Sequence, residues 1–128
     1  MTETNSNIKT GGKGEDLACD FLIKNKYKIL FRNFRLGFDE IDIIARAFNG
    51  TLVFIEVKTL KGSDAMDLKP EDNLTKDKFK KVSRACRLFV GFHKKFLDED
   101  KGWRIDLIAV TLSDDGSGAI NHYENIAA

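Results

Sequence analysis

Glu40-Ile41-Asp42-Ile43-Ile44-Ala45, then Arg46-Ala47-Phe48-Asn49-Gly50, then Thr51-Leu52-Val53-Phe54-Ile55-Glu56-Val57-Lys58: this stretch decides the fold of the 128-residue chain. Two runs of β-formers flank an Asn-Gly connection, which predicts a hairpin of strands over 38–45 and 51–58. A three-residue loop, with Phe48-Asn49 in a type I turn and Gly50 left-handed, would pair Ala47 with Thr51. Asp42 would then lie opposite Glu56 and Glu40 opposite Lys58, all on one face of the sheet. A two-residue Asn-Gly turn would instead set Asp42 opposite Val57 and send the two carboxylates to opposite faces.

Outward from the hairpin, Leu17, Ala18, Phe21 and Leu22 recur at helical spacing within 14–26, with Glu15 and Asp16 placed to meet the helix dipole. A strand is expected over 28–34. A polar, irregular segment containing Gly62 and Pro70 (59–75) reads as a long mobile loop. Phe79, Val82, Cys86, Phe89 and Val90 form one stripe of a second helix over 75–96. Strands over 103–112 and 119–123 close the chain. The order αβββαββ predicts an α/β fold, a central mixed β-sheet flanked by helices. At this length the chain forms one domain, 13–128, behind a flexible N-terminus, 1–12.

The composition excludes several classes. A hydrophobic fraction of 42% with one Pro argues against disorder and against a disulfide scaffold. Neither a signal-peptide core nor an apolar run near 20 residues is present, so a cytoplasmic protein with no membrane partner is expected. Cys19 and Cys86 form no CxxC pair and read as reduced core thiols. His93 and His122 read as isolated structural side chains, and Phe34, Trp103 and the other aromatics read as core. No Walker loop, GxGxxG, GxSxG or zinc-type spacing occurs. The net charge of +1 looks unsuited to a polyanion, but it averages over segregated charge. Residues 58–95 carry 11 bases and 5 acids, and residues 96–128 carry 2 bases and 7 acids. A basic surface that meets phosphate therefore remains open.

In the three-residue register Asp42 and Glu56 would have Cβ atoms about 5 Å apart. Two ionised carboxylates so placed repel by ~3 kcal/mol at an effective dielectric near 20. A hard divalent cation, Mg²⁺ or Mn²⁺, offsets that repulsion using oxygen ligands alone. Lys58, two residues on, could orient or help deprotonate a water for attack on phosphorus, so the set reads as phosphodiester hydrolysis. The competing explanation is a wet strand face with surface ion pairs, since an acid two residues before Lys also occurs at Asp67/Lys69 and Glu99/Lys101. Against it, Asp42 and Glu56 interrupt the most apolar strands of the chain. On the second helix Lys76, Lys80, Arg84 and Arg87 make a cationic stripe, with Lys78 added to the phosphate-binding set. No aromatic is interleaved with that stripe in sequence, so no stacking platform is expected there.

The motifs Gly14-Glu15 before Ala18, Arg32-Asn33-Phe34-Arg35, Glu40 to Ala45, Leu52 to Thr59, Lys78 ahead of Val82 and Ala85, and Arg104-Ile105-Asp106 resemble the YraN-like family, uncharacterised protein family 0102. The resemblance covers about 11–127. It departs at Asp39, where Gly commonly precedes Glu-Ile-Asp, and at Leu60 and Ile105, where Arg and Phe are common. That family is classed with the endonucleases of the PD-(D/E)XK superfamily, with a restriction-endonuclease-like fold similar to Holliday junction resolvases. The resemblance implies Asp42 and Glu56 as metal ligands, Lys58 as the catalytic lysine and Glu15 as an accessory acid. It implies DNA as partner, with a homodimer kept open and a non-catalytic binding module as the rival.

Overall fold

The computed structural model describes residues 6–61 and 75–127, with side chains from Gly12 onward. Its elements are α1 (Ser6–Lys24), β1 (Lys28–Leu36), β2 (Asp39–Arg46), β3 (Leu52–Lys61), α2 (Lys76–Phe92), a short 3₁₀ turn (Lys94–Phe96), β4 (Trp103–Leu112) and β5 (Gly118–Tyr123). The five strands form one sheet in sequence order. β3 and β4 run parallel and every other neighbouring pair is antiparallel, so the sheet is mixed. α2 lies in the β3–β4 crossover that a parallel pair requires. The expected αβββαββ order therefore holds. No helix among the described residues is long and apolar enough to cross a membrane.

Each helix covers one face of the sheet. Ala18, Cys19 and Leu22 of α1 pack on Ile43, Val53, Ile55 and Ile108. Val82, Ala85, Cys86 and Phe89 of α2 pack on Ile44, Leu52, Phe54 and Ile105. Phe89 is the centre of the second layer, with ring centroids 5.2 Å from Phe34 and 5.6 Å from Phe54 in edge-on geometry. Both cysteines are buried and free.

Three boundaries differ from the sequence expectation by three residues or more. α1 begins at Ser6, so 6–12 of the supposed flexible terminus is helical, while 1–5 lies outside the described residues. The pair Gly11-Gly12 suggested a break, but glycine costs a helix only about 1 kcal/mol each and does not forbid it. Glu15 and Asp16 then sit well inside the helix, and the first turn holds no acid. β3 runs on to Lys61, because Thr59, Leu60 and Lys61 pair with Val110, Thr111 and Leu112. Of the supposed loop, 62–74 lies outside the described residues, and Thr75 caps α2 by accepting the Lys78 N–H at 3.2 Å. α2 stops at Phe92 rather than at residue 96.

The hairpin takes the three-residue loop. Ala47 N–H donates to Thr51 O and Gly50 N–H to Ala47 O, both at 2.9 Å, with Gly50 at φ +100. Arg46 pairs with Leu52, Ala45 with Val53, Ile44 with Phe54 and Ile43 with Ile55. The next position in this register sets Asp42 beside Glu56.

Candidate metal and catalytic site

At Asp42 and Glu56 the main-chain ladder gives way to side chains. β2–β3 pairing ends at Ile43↔Ile55, and beyond it Val57 N–H donates to Asp42 Oδ2 at 2.8 Å. Asp42 N–H makes a longer contact to Glu56 Oε2 at 3.4 Å. The two carboxylates thus stand between strands that part, each tied by one oxygen. Asp42 Oδ1 accepts no hydrogen bond from the described residues, and Glu56 Oε1 has only the Lys78 ammonium, 3.8 Å away.

The expected pairing of Glu40 with Lys58 is not found, and the two form no ion pair. The cause lies in β1. Asn33 is left-handed, φ +52, and the β1–β2 register passes from Arg32↔Ile43 to Phe34↔Ile41 across Asn33 and Asp42. Strict alternation would put Ile41 and Ile44 on opposite faces. Instead both join the α2 layer, as do Phe31 and Phe34. The strand pair changes face at Asn33 and Asp42, so the regular ladder that would set Glu40 opposite Lys58 does not continue, although the charge of Glu40 still reaches Asp42 and Glu56.

Glu15 reaches the site's edge from α1. Gly14 permits this, because a Cβ there would overlap Thr59 Oγ1 of β3. Glu15 lies 3.5 Å from the Arg32 guanidinium. Burial, and then the charge of Asp42, raises its pKa, while Asn33 and Arg32 oppose the rise. Acids from α1, β2 and β3 therefore share one field. Among the described residues, however, no three His, Cys, Asp or Glu side chains lie close enough to hold a metal together. Asp42 and Glu56 are the adjacent pair.

Burial also raises Asp42, opposed by the Val57 N–H and by Lys78. Burial and the neighbouring Asp42 push Glu56 up to about 8, against the pull of Lys78. Near neutral pH the metal-free pair therefore holds less than two full negative charges. Because the folded pKa of Glu56 exceeds its unfolded value, its contribution to stability is complete below the ordinary carboxylate range and fades as pH rises toward 8. In chelator, wild type should lose on the order of 3–5 kcal/mol between pH 5 and pH 9 from this group. Glu56→Gln should flatten that loss, which urea midpoints at the two pH values will read.

The five residues assigned to phosphate divide. Lys76, Lys80 and Arg87 are exposed on α2 and make no ion pair with the described residues. Arg84 is committed to Asp39, its Nε and Nη2 at 2.9–3.0 Å from both carboxylate oxygens. Lys78 faces Glu56, which makes it part of the acidic site as much as of the phosphate stripe. Lys58 shares β3 with Glu56 and makes no ion pair with the described residues.

Sequence reasoning missed a second polar centre. Asp106, fully buried on β4, accepts from Arg104 Nε at 3.0 Å and from the Asn125 N–H at 2.8 Å. His122 Nε2 lies 2.8 Å from its other oxygen, so His122 is not isolated. Arg104 also donates to the Tyr27 hydroxyl at 2.8 Å. The available signals were an acid inside the apolar run 103–112 and the Arg104-Ile105-Asp106 motif, to which the resemblance attaches no role. The aromatic expectation is corrected too: Phe38, Phe48 and Phe92 are exposed at tips and ends that bury no ring.

The model of the uncharacterised protein family UPF0102 matches residues 14–110. UPF0102 proteins of Pelobacter propionicus and Thermotoga neapolitana are similar to the chain at 38% and 39% identity. These alignments cover 93% and 88% of this chain and 82% and 92% of the relatives. A UPF0102 protein of Caldicellulosiruptor bescii is 40% identical over 83% of this chain and 86% of its own length. Among solved structures, an EndoMS–dsDNA2 complex aligns at 17% identity with a TM-score of 0.29, covering 73% of this chain and 44% of that one. A score of that size does not establish a shared fold.

Proposed function

This chain belongs to the uncharacterised protein family UPF0102, a membership that assigns no chemistry, and from its site we propose a metal-dependent endonuclease that hydrolyses phosphodiester bonds of nucleic acid, DNA foremost. The observation that carries this is the Asp42–Glu56 pair, two neighbouring buried carboxylates, each anchored by one oxygen. Their donor set suits Mg²⁺ or Mn²⁺, which bind through one or two carboxylates and need no His or Cys. Bound there, the ion would supply Lewis-acid charge at the scissile phosphate.

The chain's own groups do the rest. Asp42 and Glu56 hold the ion. Lys58, on the Glu56 strand and without an ion pair among the described residues, orients the attacking water and shares the charge that develops on phosphorus. Lys76, Lys80 and Arg87 seat the phosphates, and Glu15 acts as an accessory acid through the field of Asp42. The rival is a non-catalytic nucleic-acid-binding module, favoured by the Lys78 ammonium, which sits where it offsets the acidic pair without a metal.

A panel of single-stranded, duplex, flap and four-way-junction DNA, and RNA, separates the two. The nuclease cuts at least one substrate in Mg²⁺ or Mn²⁺ and none in EDTA. Binding that persists in EDTA, with no cutting in either metal, establishes the module instead.

A further inference from the structure

We propose that Phe38 is a base-stacking residue, so that the preferred substrate carries an unstacked or single-stranded base a few nucleotides from the cut; this rests on the nuclease reading of Asp42 and Glu56. The Phe38 side chain is 104% exposed, at the tip of a two-residue turn closed by the Leu36↔Asp39 pair. The turn is fixed at both sides. Gly37 takes the left-handed conformation, φ +63, and Asp39 is gripped through both oxygens by Arg84 of α2. The ring is therefore held out on a braced support.

Its surroundings select the partner. Phe38 stands between Gly37 and Asp39, with Arg35 exposed on β1 and Arg84 behind. A protein-binding patch would want contiguous apolar surface, and among the described residues Phe38 is the one exposed large hydrophobic side chain on this turn. One exposed aromatic ring, with Arg35 exposed three residues before it, fits a nucleotide, whose base stacks while its phosphate meets charge nearby. The Asp39–Arg84 bond ties the turn to α2, the helix that carries Lys76, Lys80 and Arg87. Phe38 lies four residues from Asp42, so at most about 13 Å of chain separates them. The stacked base would thus sit a few nucleotides from the scissile phosphate.

Phe48 supplies the control. It is 84% exposed on the β2–β3 turn, at the opposite end of β2. Binding is measured in EDTA by anisotropy of a labelled single strand, a flap and a blunt duplex of the same sequence. Phe38→Ala should weaken the single strand and flap about tenfold, and the blunt duplex less than about twofold. Phe48→Ala should change none of them. Phe38→Trp should retain affinity, and its emission should be quenched by the single strand. Equal binding by Phe38→Ala and wild type, or equal losses in Phe38→Ala and Phe48→Ala, overturns stacking, as does wild type that binds no oligonucleotide. Cleavage in Mg²⁺ is scored separately. Cutting by wild type without a Phe38 effect removes the stacking role alone, whereas Phe38-dependent binding without cutting removes the nuclease and leaves a stacking module.

Discussion

Asp42→Asn should cut metal-dependent cleavage by about 10³-fold or more while leaving the fold intact. The amide oxygen can still accept the Val57 N–H that holds the strands where the ladder ends. What is lost is one of two anionic ligands. A cation contributes several kcal/mol at a developing phosphoryl charge, and every ~1.4 kcal/mol is a decade in rate. The same substitution removes the charge that helps raise Glu56, so in chelator at pH 8 the variant should be no less stable than wild type. Lys58→Ala should lose rate and keep cation affinity. Steady-state cleavage, with denaturant unfolding of each variant, checks all three statements. Cleavage that survives in Asp42→Asn would place the chemistry elsewhere.

Asp106→Ala should have the largest effect on stability, about 3–5 kcal/mol. Asp106 is fully buried and takes hydrogen bonds from Arg104, His122 and Asn125. Its removal leaves the mostly buried Arg104 guanidinium with only the Tyr27 hydroxyl and the exposed Glu124 carboxylate, and releases the segment after β5 that Asn125 ties down. Against a total of about 5–15 kcal/mol for an ordinary domain, such a loss leaves little margin. Burial alone would raise the Asp106 pKa, but the hydrogen bonds from His122, Arg104 and Asn125 outweigh it and hold the carboxyl low. The stability it contributes is complete above the ordinary carboxylate range and is lost as pH falls through the lowered value. Wild type should therefore weaken in acid, and Asp106→Ala should show less of that dependence. Urea midpoints at pH 3 and pH 7 measure both. Cleavage per folded molecule should be nearly unchanged, which distinguishes a structural acid from a catalytic one.

The legible parts of the sequence were those governed by local chemistry. The Asn49-Gly50 turn signal and the apolar runs on either side mark the hairpin, but they leave its register open between a three-residue and a two-residue loop, and the fold takes the three-residue one with Gly50 left-handed. The α2 stripe was legible for the same reason: helical spacing survives into the packed layer at Val82, Cys86 and Phe89. What escaped depended on a partner far away in sequence. No periodicity marks Asn33 as the left-handed residue that turns β1 and β2 over and ends the ladder that would pair Glu40 with Lys58. Lys78 read as one more base on a helix until the fold set it 3.8 Å from Glu56. Asp39 read as a departure from a glycine pattern, yet it fixes Arg84 and braces the Phe38 turn. The near-neutral total charge hid these cancellations, because two of the six α2 bases are matched by acids from the first half of the chain.

The central claim is that Asp42 and Glu56 form a divalent-cation site. The most direct measurement is a calorimetric titration of Mn²⁺ into the metal-free protein at pH 8, repeated with Asp42→Asn and with Glu56→Gln. The account predicts saturable binding to wild type, with proton release as the raised carboxyl gives up its proton, and at least a tenfold loss of affinity in each variant. Equal affinity in wild type and both variants, or no binding by wild type, would contradict it.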